Sequence, residues 1–197
     1  MKNKNCPICG GIQLEPMLTY SQLPTFVNAL SDTAENARAT TRGTQHLVLC
    51  HHCGFVYNQA FELEKMCYNT GYHAARSVSP TYSQHIQSVL DFISSMQALE
   101  GKRLVEVACG TGEFLESAAA RGPIKCIGID PSAEETQSGN IEIHQALFDE
   151  SYLRQHRQNI DILINRHMIE HMPNPLGMLS VFAQALPQDG LLYLETP

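Results

Sequence analysis

The chain has 197 residues, enough for one ordinary domain or for one small and one medium domain. Apolar residues make up 43% and charged residues 17%, which suits a packed core and excludes wholesale disorder. The formal net charge of −7 gives no electrostatic support for nucleic acid or an anionic membrane as the main partner, so a small-molecule substrate is expected.

No apolar run approaches the ~20 residues of a membrane-spanning helix. The N-terminus runs from Met1 through Lys4 to Cys6 with no apolar stretch of the kind a secretory signal needs. A cytosolic location is the expectation. In that reducing setting the seven cysteines read as metal ligands or free thiols rather than disulfides.

Residues 1–66 read as a small irregular domain built around two knuckles, Cys6-Pro7-Ile8-Cys9-Gly10 and Cys50-His51-His52-Cys53-Gly54. Two sulfurs three residues apart on a turn opened by glycine grip one face of a metal. Two such turns complete the tetrahedral thiolate set that Zn²⁺ accepts with no open position, a structural site. The intervening loop of about 40 residues exceeds the ~15–20 of the usual four-cysteine pattern. The alternative, four ordinary free thiols, fits less well because free cysteines are normally buried among apolar groups, whereas these stand in polar turns. Runs at His46–Leu49 and Phe55–Tyr57 predict strands flanking the second pair.

Residues 67–100 form a connecting segment and a helix. Ser79-Pro80 supplies an N-cap and a first-turn proline, and Ile86, Val89, Leu90 and Ile93 recur at helical spacing toward Leu99.

From residue 101 the rhythm changes to alternating strands and helices. Strands are predicted at Arg103–Ala108, Ile124–Asp130, Asn140–Leu147, Ile160–Ile164 and Gly190–Glu195. One helix follows Gly112, and another runs from Asn174-Pro175 to about Leu186. This alternation predicts an α/β fold, a doubly wound parallel sheet covered by helices on both faces.

The first of these strands ends in Glu106-Val107-Ala108-Cys109-Gly110-Thr111-Gly112. Glycines there let the backbone turn sharply and approach a ligand, and helix N-terminal N–H groups face the crevice. Asp130 closes the next strand 18 residues after Gly112, where a carboxylate can accept both hydroxyls of a ribose. A dinucleotide fingerprint asks for Gly or Ala where this chain has Leu115. The negative charge of Glu106 suits a cofactor with an ammonium and a sulfonium better than a pyrophosphate, which it repels. The plainer alternatives are a tight turn for Gly110 and Gly112 and a helix cap for Asp130.

The segment Glu106–Gly112 resembles motif I of the class I S-adenosylmethionine (SAM)-dependent methyltransferases, with Ala108 at a position that is often glycine. Ile127–Ser132 resembles that family's second strand with its ribose-binding acid. Ile164–Pro175 resembles the fourth-strand motif that lines the methionine end of the cofactor. The resemblance implies SAM as cofactor, with Glu106, Ala108, Cys109, Gly110, Gly112, Asp130, Asn165 and Arg166 as its binding set. It also implies a seven-stranded sheet, of which residues 101–197 carry all but the last two strands, leaving Leu191–Glu195 as an exposed edge.

The zinc knuckles joined to this domain are similar to those of sugar C-methyltransferases, which act on nucleotide-linked keto-deoxysugars. Residues Tyr72–Ser79 look like the segment that connects the two domains there. That likeness places Tyr72 and His171 where an active-site tyrosine and histidine lie. Forming a carbon–carbon bond requires a base to remove a proton beside the ketone, work that an imidazole or a phenol can do. Two other readings start from the same sequence: a ribosomal-RNA base methyltransferase with an N-terminal zinc module, which needs a basic RNA track, and a non-catalytic zinc-ribbon interaction module on a methyltransferase scaffold.

Overall fold

The computed structural model describes residues 4–25, 31–66, 79–123, 125–156 and 159–197. It divides into two compact units, Met1–His73 with Pro173–Leu176, and Ala74–Met172 with Gly177–Pro197. Among the described residues no helix is long and apolar enough to cross a membrane.

The first unit holds a three-stranded antiparallel sheet in the order β1-β2-β3: β1 (Leu14–Pro24), β2 (Arg42–Cys50) and β3 (Val56–Asn58). The strands expected beside the second cysteine pair are β2 and β3. The long β1 escapes sequence reading because ten of its eleven residues are exposed, which leaves no period-two apolar signal. A short helix, α1 (Ala34–Arg38), stands in the polar stretch, capped by Thr33, whose Oγ1 accepts from the Asn36 amide at 3.1 Å.

The second unit opens with α2 (Pro80–Met96). Ser79 caps it by accepting from the Tyr82 amide at 3.3 Å, and Ile86, Val89, Leu90 and Ile93 form its buried stripe, as the spacing predicts. There follow β4 (Arg103–Val107), α3 (Glu113–Ala119), β5 (Lys125–Ile129), β6 (Thr136–Ser138), β7 (Ile141–His144), α4 (Glu150–Gln155), β8 (Ile162–Arg166), α5 (Pro175–Ala185) and β9 (Leu191–Glu195).

The sheet order is β6-β7-β5-β4-β8-β9, and every pairing is parallel except β6 against β7. The chain thus runs outward from β4 through β5 to β7, then returns to the other side of β4 at β8. This places the topological switch point between β4 and β8, where doubly wound sheets bind ligands beyond the carboxyl ends of the strands.

Two differences from the sequence reading are physical. The third parallel strand ends at His144 rather than Leu147, because the Ala146 amide turns back onto the His144 carbonyl and Leu147 is exposed. Between β5 and β7 the chain makes the small β6–β7 hairpin, and α4, unforeseen, follows with Asp149 as its cap.

Strand alternation divides the core into two layers. Leu104, Cys126, Ile162 and Ile164 pack with the stripe of α2 and with Phe114, Leu115 and Ala118 of α3. Val105, Val107, Ile127, Ile129 and Leu163 face the other way, onto Phe148, Tyr152 and Phe182. Each fully buried residue of this size contributes roughly 1.5–3 kcal/mol of transfer free energy.

Gly128 lets α3 approach β5. A Cβ there would stand 2.5 Å from Cys109 Sγ and 2.7 Å from Leu115 Cδ1, atoms that are themselves buried. Gly128→Ala is therefore expected to cost about 1–3 kcal/mol of stability, read as a lowered urea midpoint. An unchanged midpoint would show that this packing yields freely.

Candidate cofactor crevice and cysteine cluster

The crevice is built from the loop after β4. Ala108 adopts φ +61°, a left-handed conformation that costs a non-glycine residue about 1 kcal/mol or more. Its amide donates to the Ile129 carbonyl at 2.8 Å, which binds the loop to the top of β5. At Gly110 a Cβ would meet nothing within 4 Å, so this stretch of backbone stands open to an approaching ligand. Gly112 is different: at φ +87° its absent Cβ would lie 2.7 Å from Ile143 Cδ1, so both conformation and packing exclude a side chain.

Asp130 is buried, at 8% exposure, and both its oxygens are engaged. Oδ2 accepts from the Gly110 amide at 3.0 Å; Oδ1 accepts from the Ser132 amide at 2.8 Å and from Ser132 Oγ at 2.7 Å. The acid therefore fastens the glycine loop to the end of β5. Each carboxylate oxygen has more than one acceptor site, so a further donor can still be taken.

Glu106 is 1% exposed, and Arg166 at the end of β8 donates to its Oε1 from Nε at 3.0 Å and from Nη2 at 2.9 Å. The guanidinium also donates from Nη1 to Tyr82 Oη at 3.2 Å and lies over the Phe114 ring, 4.2 Å from its centroid. Burial outweighs the positive charge and hydrogen bonds of Arg166 and pushes the Glu106 carboxyl up to about 7. This corrects the simple electrostatic reading of the sequence. Glu106 does not present a bare negative charge at the crevice, because one oxygen is already neutralised by Arg166.

What remains is its second oxygen. Glu106 Oε2 is buried with no partner among the described residues, and so is Oδ1 of the fully buried Asn165. Asn165 Nδ2 donates to the Val107 carbonyl at 3.1 Å, holding the tops of β8 and β4 together. Strand alternation puts the two on opposite faces of the sheet, Glu106 with Ile164 and Asn165 with Val107, so each orphaned acceptor calls for a donor of its own.

Two thiols of the second unit are held protonated. Cys109 and Cys126 are both buried; burial raises the Cys109 thiol far above its usual range and pushes Cys126 up to about 11. His171 sits in a 3-10 turn, Ile169–His171, with a half-exposed ring whose Nε2 is 3.8 Å from Glu170 Oε1. Tyr72 lies outside the described residues.

One group at the strand tops escaped the sequence reading. His85 of α2 and Glu195 at the end of β9 pair at 2.8 Å (Nε2 to Oε1), and His167 Nε2 stands 3.1 Å from the same oxygen. Burial works against ionisation of Glu195, but the His85 hydrogen bond and the charges of Arg166, His85 and His167 hold its carboxyl below the usual range. The only hint in the sequence was a polar residue beside the buried stripe of α2.

In the first unit the four expected ligands converge. The sulfurs of Cys6, Cys9, Cys50 and Cys53 lie within 4.8 Å of one another, the only such group of potential ligands among the described residues. Cys6 and Cys53 sulfurs are 3.6 Å apart, as are those of Cys9 and Cys50. Zinc–sulfur bonds of ~2.3 Å at tetrahedral angles put sulfurs ~3.8 Å apart, so the cluster has the dimensions of a four-thiolate zinc site. The knuckles are built alike, with Gly10 N donating to Cys6 O at 2.9 Å and Gly54 N donating to Cys50 O at 2.8 Å. At Cys50 burial is outweighed by the Cys53 and His52 amides and the neighbouring thiols, which lower it to about 6, whereas at Cys9 the Gly11 amide is outweighed by burial and the neighbouring thiols, which raise it to about 12.

A glycine crevice at the switch point of a doubly wound sheet, with a carboxylate on the second strand, defines a nucleoside-cofactor domain. A family model described as "Methyltransferase domain" matches residues 81–197, and the chain belongs to that family. It is 32% identical over 110 residues to the ubiquinone biosynthesis O-methyltransferase of Glaesserella parasuis, covering 50% of this chain and 46% of that protein. To the enzyme of the same name from Aromatoleum aromaticum it is 32% identical over 116 residues, covering 54% and 49%. The chain thus spans about half the length of these curated relatives. Among solved structures it is similar to a SAM-dependent methyltransferase from Thiobacillus denitrificans in complex with S-adenosyl-L-homocysteine. That match has 20% identity, covers 61% of this chain and 54% of that one, and has a TM-score of 0.44.

Removing Arg166 strands a buried carboxylate. Arg166→Met is expected to cost about 3–5 kcal/mol in urea unfolding, and adding Glu106→Leu is expected to recover most of that loss. A single variant as stable as the parent would mean that Glu106 is not held by this pair.

Proposed function

We propose that this protein is a SAM-dependent methyltransferase acting on a small-molecule acceptor. In this reading residues 101–197 hold the cofactor, residues 67–100 connect, and residues 1–66 form a domain stabilised by a structural zinc ion. The observation that carries it is the orphaned buried acceptor Glu106 Oε2, on the strand that ends in a glycine loop tied to Asp130. An ammonium satisfies such an acceptor, and a pyrophosphate cannot. Asp130 takes the ribose hydroxyls, Ala108, Cys109, Gly110 and Gly112 shape the loop against the nucleoside, and Arg166 keeps Glu106 in place.

When bound, SAM supplies a methyl group on a positively charged sulfonium. The chain's own tasks are to hold the acceptor in line with it, keep water out and take up the acceptor's proton. The likeness of the knuckles and of Tyr72–Ser79 to sugar C-methyltransferases favours a nucleotide-linked keto-deoxysugar, a carbon acid, with His171 and Tyr72 on the acceptor side. A second reading, O-methylation, is favoured by the names of the relatives that match residues of the second unit.

Calorimetry with S-adenosyl-L-homocysteine is expected to give a dissociation constant in the micromolar range, on the order of −8 kcal/mol. Asp130→Ala should weaken it at least about tenfold, a loss of roughly 1.4 kcal/mol. Asp130→Asn, which keeps an acceptor for the Gly110 amide, separates ribose recognition from loop collapse. Undiminished binding in both variants would remove Asp130 from the site.

For the metal, elemental analysis should find one zinc per chain. Stripping it with a chelator, or Cys50→Ser, should lower the melting temperature of the first unit, because zinc binding is coupled to folding. Zinc-free protein that melts unchanged would overturn the metal assignment.

A further inference from the structure

The cofactor reading leaves one titratable cluster of the second unit without a task, and it stands at the same ends of the strands. Glu195 is the register partner of Arg166, the residue that holds Glu106. Its side chain is only 12% exposed, whereas that of His85 is 45% exposed, so a buried carboxylate fixes an imidazole that solvent and solutes can reach. The contact engages His85 Nε2, and His85 Nδ1 has no partner among the described residues. A carboxylate accepting from Nε2–H leaves the lone pair on Nδ1, so the outward nitrogen is the basic one.

The neighbours are known from each element that packs here. Tyr82 stands beside His85 on α2 with ring centroids 5.9 Å apart, and its hydroxyl accepts from Arg166. From β8 come Arg166 and His167, and from β9 Tyr193, whose hydroxyl donates to Glu195 Oε2 at 3.2 Å. One chain of contacts therefore runs from the crevice acid Glu106 through Arg166 to Tyr82, and His85 stands three residues further along α2. His167 adopts φ +54°, so a second non-glycine residue besides Ala108 is held left-handed at the strand tops, where strain accompanies function.

We propose that His85 is the general base of the methyl transfer and that Glu195 is its positioning residue. This rests on the SAM reading given above. His85 Nδ1 takes the proton from the acceptor, a C–H beside a ketone or an acidic O–H, and the electron pair of that bond stays on the acceptor. The acceptor's carbanion or oxyanion then attacks the methyl carbon, forming the new C–C or C–O bond as the C–S pair stays on sulfur. The imidazolium, stabilised meanwhile by Glu195, returns its proton to water. Charge balances, because the sulfonium's positive charge leaves as that proton.

The test uses the full chain with SAM and two acceptor probes, a thymidine-diphosphate-linked 4-keto-6-deoxysugar and catechol. Release of S-adenosyl-L-homocysteine is followed from about pH 6 to about pH 9. One probe is expected to be methylated at a rate that climbs with pH, and which one it is separates carbon from oxygen chemistry. His85→Asn should lower kcat about 100-fold or more and abolish the climb. Glu195→Gln should lower kcat about tenfold with KM unchanged, and Glu195→Asp, which keeps a carboxylate, should recover part of that loss. A merely structural Glu195 would lower the melting temperature in step with the rate.

His85→Asn within about twofold of the parent at every pH, or an unchanged kcat in Glu195→Gln, overturns the assignment. If neither probe is methylated while calorimetry shows S-adenosyl-L-homocysteine bound, the base assignment falls and the cofactor reading stands. Failure of that nucleoside to bind overturns the cofactor reading and the base with it. Melting temperatures of both variants guard against loss of fold.

Discussion

The second unit is organised around a buried ion pair at its switch point. Glu106 lies in the middle of the sheet on β4, where a lone carboxylate would be too costly to bury, and Arg166 at the tip of β8 is the group that makes its burial tolerable. The consequence reaches beyond stability. Arg166 occupies one carboxylate oxygen, and the other is left desolvated, with no partner among the described residues. A site of this kind is arranged before any ligand arrives, because the cost of fixing the acceptor has been met in folding.

The same economy governs the loop. Asp130 could be read as a free ribose acceptor, yet in the folded chain it first serves as the fastening for Gly110 and Ser132. In the reading proposed above, rigid loop geometry and ribose recognition rest on one side chain. Ala108 carries left-handed strain next to it, held by its hydrogen bond to Ile129. These residues act as a unit, and the contribution of any one of them is inseparable from the loop it holds.

Much of this was legible in the sequence, for reasons that differ by element. The stripe of α2 and the apolar strands β4, β5 and β8 announce themselves because burial imposes a period. The cysteine knuckles do so because a metal fixes spacing. By contrast β1 is nearly all exposed, and the short strand β6 stands within the crossover from β5 to β7, where no local pattern marks it. The partnership of Glu106 with Arg166 spans 60 residues, and that of His85 with Glu195 spans 110. Such pairs are products of strand order, and neither residue carries a local mark of the other. Read from the sequence, Glu106 carries too large a charge, since its neutralising partner Arg166 is seen there only as a second member of the cofactor set.

Strand register is what joins the two pairs. In the parallel ladder Glu106 stands opposite Ile164, Arg166 opposite Glu195, and His167 N donates to the Glu195 carbonyl at 2.8 Å. A slip of one residue in β9 would bring Leu194, whose side chain points to the other face, to the position of Glu195. His85 and His167 would lose their shared carboxylate, and Arg166 would lose a compensating charge. Among the described residues β9 has β8 as its only strand neighbour, so a single ladder fixes that register. The apolar faces of β9 and the side chains at its tip therefore depend on one another: Leu191 and Tyr193 pack against the layer of α2 and α3, Leu192 against the layer of α5, and that two-sided packing keeps Glu195 level with the imidazole it orients.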